Sequence, residues 1–354
     1  MPLTVLNIAY PLAPASPDSV GGAEQVLAAL DRALVEAGHT SLVVAAADSQ
    51  VAGQLWPVAA VSHGVITEED KRVARVQVQS AIDAALASWR AIDMIHIHSM
   101  DFAGYRLPVE MPVLVTLHLP VSWYPLDAFD SAGANVHFCC VSQSQRASAP
   151  ARLRDASVVE NGVALLPFSP DTPRENFALT MGRICPEKNQ HAALEAGTRA
   201  GIPVYLAGQV FPYREHRDYF EAAIRPLLLS PNPGHRFLGP LTADRKQELL
   251  ARARCLLHPT LAPETSSLVA MEALAAGTPV IAYRSGALPE IVEDGRTGFL
   301  VDSVEAMAAA IAQVARISPA DCRAAAEQRF SRERMVAEYF HLYRALTEPA
   351  RAYA

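Results

Sequence analysis

The stretch PETSSLVAMEALAAGTPVIA at residues 263–282 decides the fold of the second half of the chain. A turn of Pro, Ser and Thr leads into an apolar helix, and Gly-Thr-Pro at 277–279 ends that helix before a buried strand. A helix N-terminus reached in this way offers free backbone amides and a positive dipole end, which favour phosphate. Glu264 and Glu272 lie on either side of this phosphate-binding position and can accept hydrogen bonds from hydroxyls. A phosphate-binding position between two carboxylates, each able to bind a diol, predicts a nucleotide sugar as the ligand.

Composition and length indicate a soluble protein of more than one domain. The chain has 354 residues, 51% of them hydrophobic and 19% charged, and this length favours two domains. No apolar run reaches the ~20 residues that span a bilayer, and no leader precedes the first strand-like run, so we expect a cytoplasmic protein without a transmembrane segment. The five cysteines lack CxxC spacing, which favours reduced, buried thiols.

The net charge of −7 is concentrated in the first half of the chain. Residues 1–161 hold nine Lys and Arg against sixteen Asp and Glu, whereas the remainder holds twenty-one of each. Because an acidic surface repels polyanions, we expect no nucleic-acid partner.

Short apolar runs alternate with segments of helical period, which predicts an α/β protein with parallel sheets. We expect two Rossmann-like domains, at residues 1–165 and 166–330, with a terminal helix at 331–354 joining the first. Strands are predicted at residues 5–9, 42–47, 94–98, 113–118, 136–141, 177–181, 204–207, 236–238, 255–258, 280–283 and 299–301. Helices are predicted around residues 23–34 and at 190–200, 217–229, 243–253 and 304–314.

Arg183 and Lys188 flank a turn after a predicted strand, at the sheet edge where such folds bind ligands. Arg grips phosphate with two hydrogen bonds and Lys adds a point charge, so the pair suits a leaving diphosphate. Lysine occurs only three times in the chain. An ordinary solvated loop is the alternative interpretation.

Several motifs in this order resemble glycosyltransferase family 4, whose members are retaining enzymes of the GT-B fold. The motifs are GGAE at 21–24, NGV at 161–163, GRICPEKN at 182–189, FLG at 237–239, the Glu264 and Glu272 pair, GALPEIV at 286–292 and GRTGFLV at 295–301. The resemblance is specific across residues 177–302. In the first half only the Gly-Gly turn and the Thr-Leu-His run that ends at His118 carry it.

The resemblance implies two domains facing a cleft and transfer of a hexose from a UDP- or GDP-sugar to an acceptor hydroxyl, in bacterial glycan, glycolipid or small-molecule glycoside synthesis. It implies that Glu264 holds hydroxyls of the donor sugar, that Glu272 holds the ribose diol, and that His118 contacts the sugar near its reacting carbon. The expected catalytic residues are His118, Arg183, Lys188 and Glu264. The expected donor-binding residues are Gly21, Gly22, Arg183, Lys188, Gly239, Glu264, Thr265, Ser266, Ser267, Leu268 and Glu272.

Two features bear on the chemistry of this expected site. No Asp-x-Asp motif stands where it could hold a metal on the diphosphate, so we expect Arg183 and Lys188 to act without a metal or cofactor. The family usually has Gly or Pro, then Phe and Gly, after its first glutamate, whereas this chain has Thr265, Ser266 and Ser267. Hydroxyls therefore line the corner that faces the sugar.

Three other functions compete with this interpretation. A nucleotide-sugar epimerase of similar form would need acid/base carboxylates in the first half of the chain. A dinucleotide-dependent oxidoreductase would need a G-x-G-x-x-G turn after the first strand, and the sequence has none there. A non-catalytic nucleotide-sugar-binding protein would bind the donor without turning it over.

Overall fold

The computed structural model describes residues 2–59, 66–89, 91–231 and 233–351. It divides into two compact units, one made of Met1–Glu160 and Glu333–Ala354 and the other of Asn161–Arg332. The boundary predicted between residues 165 and 166 lies inside the second unit. Residues 352–354 of the predicted terminal helix lie outside the described residues.

The first unit contains a seven-stranded sheet in which all neighbouring strands are parallel. The strand order is β3-β2-β1-β4-β5-β6-β7. The strands are β1 (Thr4–Ile8), β2 (Thr40–Ala46), β3 (Gln54–Val58), β4 (Met94–Ile97), β5 (Val113–Leu117), β6 (Val136–Cys140) and β7 (Ser157–Val158).

The second unit contains a six-stranded parallel sheet in the order β10-β9-β8-β11-β12-β13. The strands are β8 (Ala178–Met181), β9 (Val204–Ala207), β10 (Arg236–Gly239), β11 (Cys255–His258), β12 (Val280–Tyr283) and β13 (Gly298–Val301). The central strands β8, β11 and β12 are almost wholly buried, as expected for a parallel sheet covered on both faces. These two sheets confirm the predicted α/β class.

Helices connect the strands of both units. The helices are α1 (Gly22–Glu36), α2 (Glu68–Ser88), α3 (Leu126–Asp130), α4 (Gln143–Ala147), α5 (Gln190–Ala200), α6 (Arg214–Tyr219), α7 (Arg225–Leu228), α8 (Ala243–Arg252), α9 (Leu268–Ala275), α10 (Leu288–Ile291), α11 (Val304–Gln313), α12 (Pro319–Arg329) and α13 (Arg332–Arg351). A π-helical stretch, Phe220–Ile224, joins α6 to α7. Within the described ranges, no helix is both long enough and apolar enough to cross a membrane.

The terminal helix α13 packs against the sheet of the first unit. Its Tyr339 and Tyr343 side chains are fully buried. The Tyr343 hydroxyl lies 2.7 Å from His96 Nδ1 on β4, and the Tyr339 hydroxyl lies 3.2 Å from Thr116 Oγ1 on β5. These contacts satisfy polar groups that would otherwise be buried without partners.

Candidate functional site

In the second unit, the loops after β8 and β11 are held against each other at the carboxyl edge of the sheet. The loop after β8 contains a 3₁₀ turn, Pro186–Lys188, followed by Asn189 in the left-handed conformation with φ of 55°. Asn189 donates a hydrogen bond to the Pro259 carbonyl, and the Leu261 amide donates one to the Glu187 carbonyl. The buried loop backbone is thereby satisfied on both sides.

A third loop, after β12, fixes the backbone of Glu264. The Ala287 amide donates to the Glu264 carbonyl over 2.7 Å. Gly286 lies so close that a Cβ added to it would be 2.1 Å from that carbonyl oxygen, and its φ is +54°. Only glycine fits a position with both the close approach and the positive φ. The GALPEIV motif therefore serves locally to position this glutamate.

Glu264 forms a buried ion pair with Lys188. Lys188 Nζ donates to Glu264 Oε2 over 2.5 Å, and the two side chains are 21% and 11% exposed. Burial by itself would raise the pKa of Glu264, but the charge of Lys188 and the hydrogen bond from His258 outweigh it and lower that pKa to about 2. Glu264 is therefore a carboxylate throughout the physiological pH range.

His258, the last residue of β11, is a site residue that the sequence reasoning missed. Its Nε2 lies 3.2 Å from Glu264 Oε2 and 3.3 Å from Ser267 Oγ. Since a carboxylate can only accept, we assign the proton to Nε2. The one available signal was its place at the carboxyl end of a buried strand.

Helix α9 begins beside this cluster and leaves polar groups unused. Ser267 is its N-cap and accepts from the Ala270 amide. In the described part of the chain, the buried Ser266 Oγ has no hydrogen-bond partner, and no acceptor is found for the amides of Leu268 and Val269. These groups can receive an anion together with the dipole of the helix. Thr265 is also buried.

Glu272, one turn into α9, is paired with a second lysine. Lys246 of α8 donates to Glu272 Oε1, and the two side chains are 22% and 16% exposed. The other carboxylate oxygen, Oε2, is buried and has no partner among the described residues. Two of the three lysines of the chain thus hold the two glutamates, and Glu272 keeps one oxygen for a ligand hydroxyl. Sequence reasoning missed Lys246.

Arg183 and Gly239 lie at the carboxyl ends of β8 and β10, the two strands on either side of β9. Arg183 follows β8 and is partly buried, and its carbonyl accepts a hydrogen bond of 2.6 Å from Gln190. Its guanidinium forms no ion pair with any residue that the structure describes. Gly239 ends β10, and its carbonyl accepts from the Gly208 amide over 2.8 Å.

The predicted Gly-Gly turn belongs to the first unit, where Gly21 is the N-cap of α1 and Gly22 its first residue. A Cβ on Gly21 would lie 1.9 Å from Glu24 Oε2. The space beside Gly21, where a ligand was predicted to approach the backbone, is therefore partly filled by the carboxylate of Glu24, which is 8% exposed. Because these atoms are the end of a flexible side chain that can move, this contact does not by itself require glycine at position 21, and the functional role of Gly21 stays a prediction.

His118 also belongs to the first unit and is part of a row of three histidines. His118 Nε2 lies 2.9 Å from His98 Nδ1, and the two rings are stacked. His96, whose ring contacts that of His98, is hydrogen-bonded to Thr116 and Tyr343. Burial lowers the pKa of His118 to about 4 and holds the pKa values of the other two well below their usual value. All three rings are therefore neutral at pH 7.

Removing Lys246 from its partly buried pair with Glu272 should destabilise the fold more than removing Lys71 from its exposed pair with Glu68 on α2. Lys246→Ala leaves the buried Glu272 carboxylate without its partner, so the free energy of unfolding should fall by ~1–3 kcal/mol. Lys71→Ala, whose partner Glu68 is 84% exposed, should leave it unchanged. Urea unfolding monitored by circular dichroism measures both, and equal losses would contradict the assignment.

Acidification should destabilise the first unit between pH ~6.5 and ~4. His118, whose pKa burial lowers to about 4, is neutral when folded but protonated when unfolded in this range, so its contribution to the free energy of unfolding falls by ~1.4 kcal/mol per pH unit. Fluorescence of Trp56, Trp89 and Trp123, all in the first unit, reports its urea unfolding. His118→Gln should flatten the pH dependence, and an unchanged slope would show that His118 does not contribute.

Two family models match consecutive parts of the chain. The model described as Glycosyltransferase Family 4 matches residues 20–167, and the model described as Glycosyl transferases group 1 matches residues 167–329. Phosphatidyl-myo-inositol mannosyltransferase of Mycolicibacterium smegmatis is 27% identical to the chain, over 84% of this chain and 82% of that protein.

Other similarities cover less of a relative or are weaker in sequence. D-inositol 3-phosphate glycosyltransferase of Streptomyces scabiei is 47% identical over 66 residues, which are 19% of this chain and only 15% of that protein. The structure of Anabaena Alr3699/HepE in complex with UDP-glucose superposes with a TM-score of 0.75 at 20% identity, over 95% of this chain and 99% of that one. The motifs, the two parallel sheets and both family models agree: the chain belongs to glycosyltransferase family 4 and has the GT-B fold.

Proposed function

We propose that the chain transfers a hexosyl group from a nucleotide-diphosphate sugar to an acceptor hydroxyl with retention of the anomeric configuration. The observation that carries this proposal is the set of unused polar groups in the second unit. Ser266 Oγ and Glu272 Oε2 are buried and have no partners among the residues that the structure describes, and the first amides of α9 lie between these two residues in sequence. Buried polar groups without partners are costly, so a ligand that satisfies them binds with a gain.

The donor diphosphate occupies the start of α9 in this proposal. Free amides and the helix dipole attract the phosphates, and Arg183, which has no ion pair among the described residues, can bind them with two hydrogen bonds. Lys188 carries three donors and uses one on Glu264, so it can bind phosphate without leaving its carboxylate partner. These cations neutralise the charge that develops on the leaving group, and transfer needs no metal ion.

The two glutamates hold the two ends of the donor. Glu272 accepts a hydrogen bond from a ribose hydroxyl on Oε2 while Lys246 occupies Oε1. Glu264, kept ionised by its low pKa, accepts hydrogen bonds from hydroxyls of the transferred sugar. Gly239 contributes backbone groups beside the base. A relative named as a mannosyltransferase and a structural neighbour bound to UDP-glucose support a UDP- or GDP-hexose as the donor class.

In the transfer step the bond between the anomeric carbon and the diphosphate oxygen breaks, and a bond from that carbon to the acceptor oxygen forms on the same face. The acceptor proton passes to the leaving phosphate. The family resemblance assigns contact with the transferred sugar to His118, whose ring is held by His98 and carries no charge at pH 7. Positioning and charge stabilisation supply the rate enhancement. The epimerase and binding-protein alternatives are less favoured, because both matched families are transferases.

Incubation with a panel of UDP- and GDP-hexoses tests the reaction class. We expect slow release of nucleoside diphosphate with one donor, faster release when an acceptor is present, and an unchanged rate in EDTA. The anomeric coupling of the product, measured by NMR, should match that of the donor. An epimerised nucleotide sugar in the absence of acceptor would indicate the epimerase, and binding without turnover would indicate a binding protein.

Lys188→Ala should lower kcat by ~10²–10³-fold, because one fixed cation is lost where charge develops in the transition state. The chain should still fold, as judged by circular dichroism. Lys71→Ala, a change to an exposed lysine of the first unit, is the matched control and should keep full activity. Near-wild-type turnover by Lys188→Ala would refute the role of this lysine in binding the diphosphate.

A further inference from the structure

The turn between Arg183 and Lys188 also brings a thiol and a carboxylate close to an imidazole of α6. One ligand atom each of Cys185, Glu187 and His216 lie within 4.8 Å of one another. Cys185 follows β8 and is 1% exposed, whereas Glu187 is exposed. All three residues belong to the second unit.

The imidazole of His216, one member of this cluster, has an unused nitrogen. His216 is only 9% exposed, and its buried Nδ1 has no hydrogen-bond partner among the described residues. The edge contact of its ring with Tyr213 fixes the ring without satisfying that atom. A buried ring nitrogen without a partner is costly unless a ligand uses it. This observation is independent of the clustering of the three side chains.

We propose that Cys185, Glu187 and His216 bind one divalent transition metal ion of the zinc class. A thiolate, an imidazole and a carboxylate are the donor types that Zn²⁺ uses, and the closely related Co²⁺ accepts the same set. Bonds of ~2.0–2.3 Å in a tetrahedron separate the donors by ~3.3–3.8 Å. The side chains must therefore close by only about 1 Å, and the exposed Glu187 can supply most of that movement. Water completes the fourth position.

Binding of the ion is coupled to loss of the thiol proton. Burial raises the pKa of Cys185 to about 11, although the charge of Arg183 opposes this. The thiol is therefore protonated at neutral pH, and it releases its proton to solvent when the metal–sulfur bond forms. The ion ties the 3₁₀ turn to α6. The ion is held by side chains other than Arg183 and Lys188, which bind the diphosphate in the proposed function. Sugar transfer therefore does not require the ion, and the two proposals can fail separately.

Titration of the full chain with Co²⁺ under a non-chelating reductant tests the site. We expect one Co²⁺ per chain, with a thiolate-to-cobalt charge-transfer band and d–d bands of tetrahedral intensity. Cys185→Ser should abolish the charge-transfer band. His216→Ala and Glu187→Gln should each weaken binding by at least ~10-fold. Competition with Zn²⁺ should remove the bands.

Cys322→Ser is the matched control, because it removes another buried thiol of the same unit, one that is bonded to the Thr297 carbonyl. It should keep the full spectrum. Glu187→Gln changes an exposed side chain and will fold even if the buried variants do not, so it decides the outcome alone if necessary. Absence of the charge-transfer band in the wild type, its survival in Cys185→Ser, or unchanged affinity in Glu187→Gln would overturn the proposal.

Discussion

The charge of Glu264 is the constraint on which the donor-side arrangement depends. Its carboxylate is nearly buried, and burial opposes ionisation, yet Lys188 and His258 keep it ionised. A buried ion pair gives little net stability, because desolvation of both charges offsets their attraction. The surrounding structure nevertheless fixes both partners, through the Asn189 side chain on one loop and the close approach of Gly286 on another. Such fixation without a stability gain is typical of a binding site.

The same principle explains Glu272. Its pair with Lys246 satisfies one oxygen and leaves the other buried. If the pair served only the fold, a second donor for Oε2 would stabilise it further, and the described residues provide none. The proposed function accounts for this unused oxygen, because an acceptor already satisfied by protein gains nothing from a sugar hydroxyl. Each glutamate is thus held by one lysine, and Glu272 has in addition one buried oxygen without a partner among the described residues.

Much of the fold followed from the sequence, because central parallel strands are continuous apolar runs and their helices have a clear period. The strands β3 and β7 were missed. β3 is a half-exposed edge strand containing Pro57, and β7 has two residues, so neither shows a buried run. His258 and Lys246 were missed for another reason. Their roles come from contacts with glutamates on other elements, which no local pattern encodes.

The serine-rich turn before α9 departs from the family pattern, and its two serines have different roles in the structure. Ser267 is used by the fold, since it caps α9 and lies beside His258. Ser266 is different, because its Oγ is buried and has no partner in the described ranges. A ligand that leaves this hydroxyl unpaired pays ~1–3 kcal/mol relative to one that bonds it, which corresponds to roughly 5- to 150-fold discrimination. Where relatives carry an aromatic ring, which discriminates by shape, this chain carries a hydroxyl, which discriminates by hydrogen bonding. Under the proposed function, selection among donor sugars therefore depends on polar complementarity at Ser266.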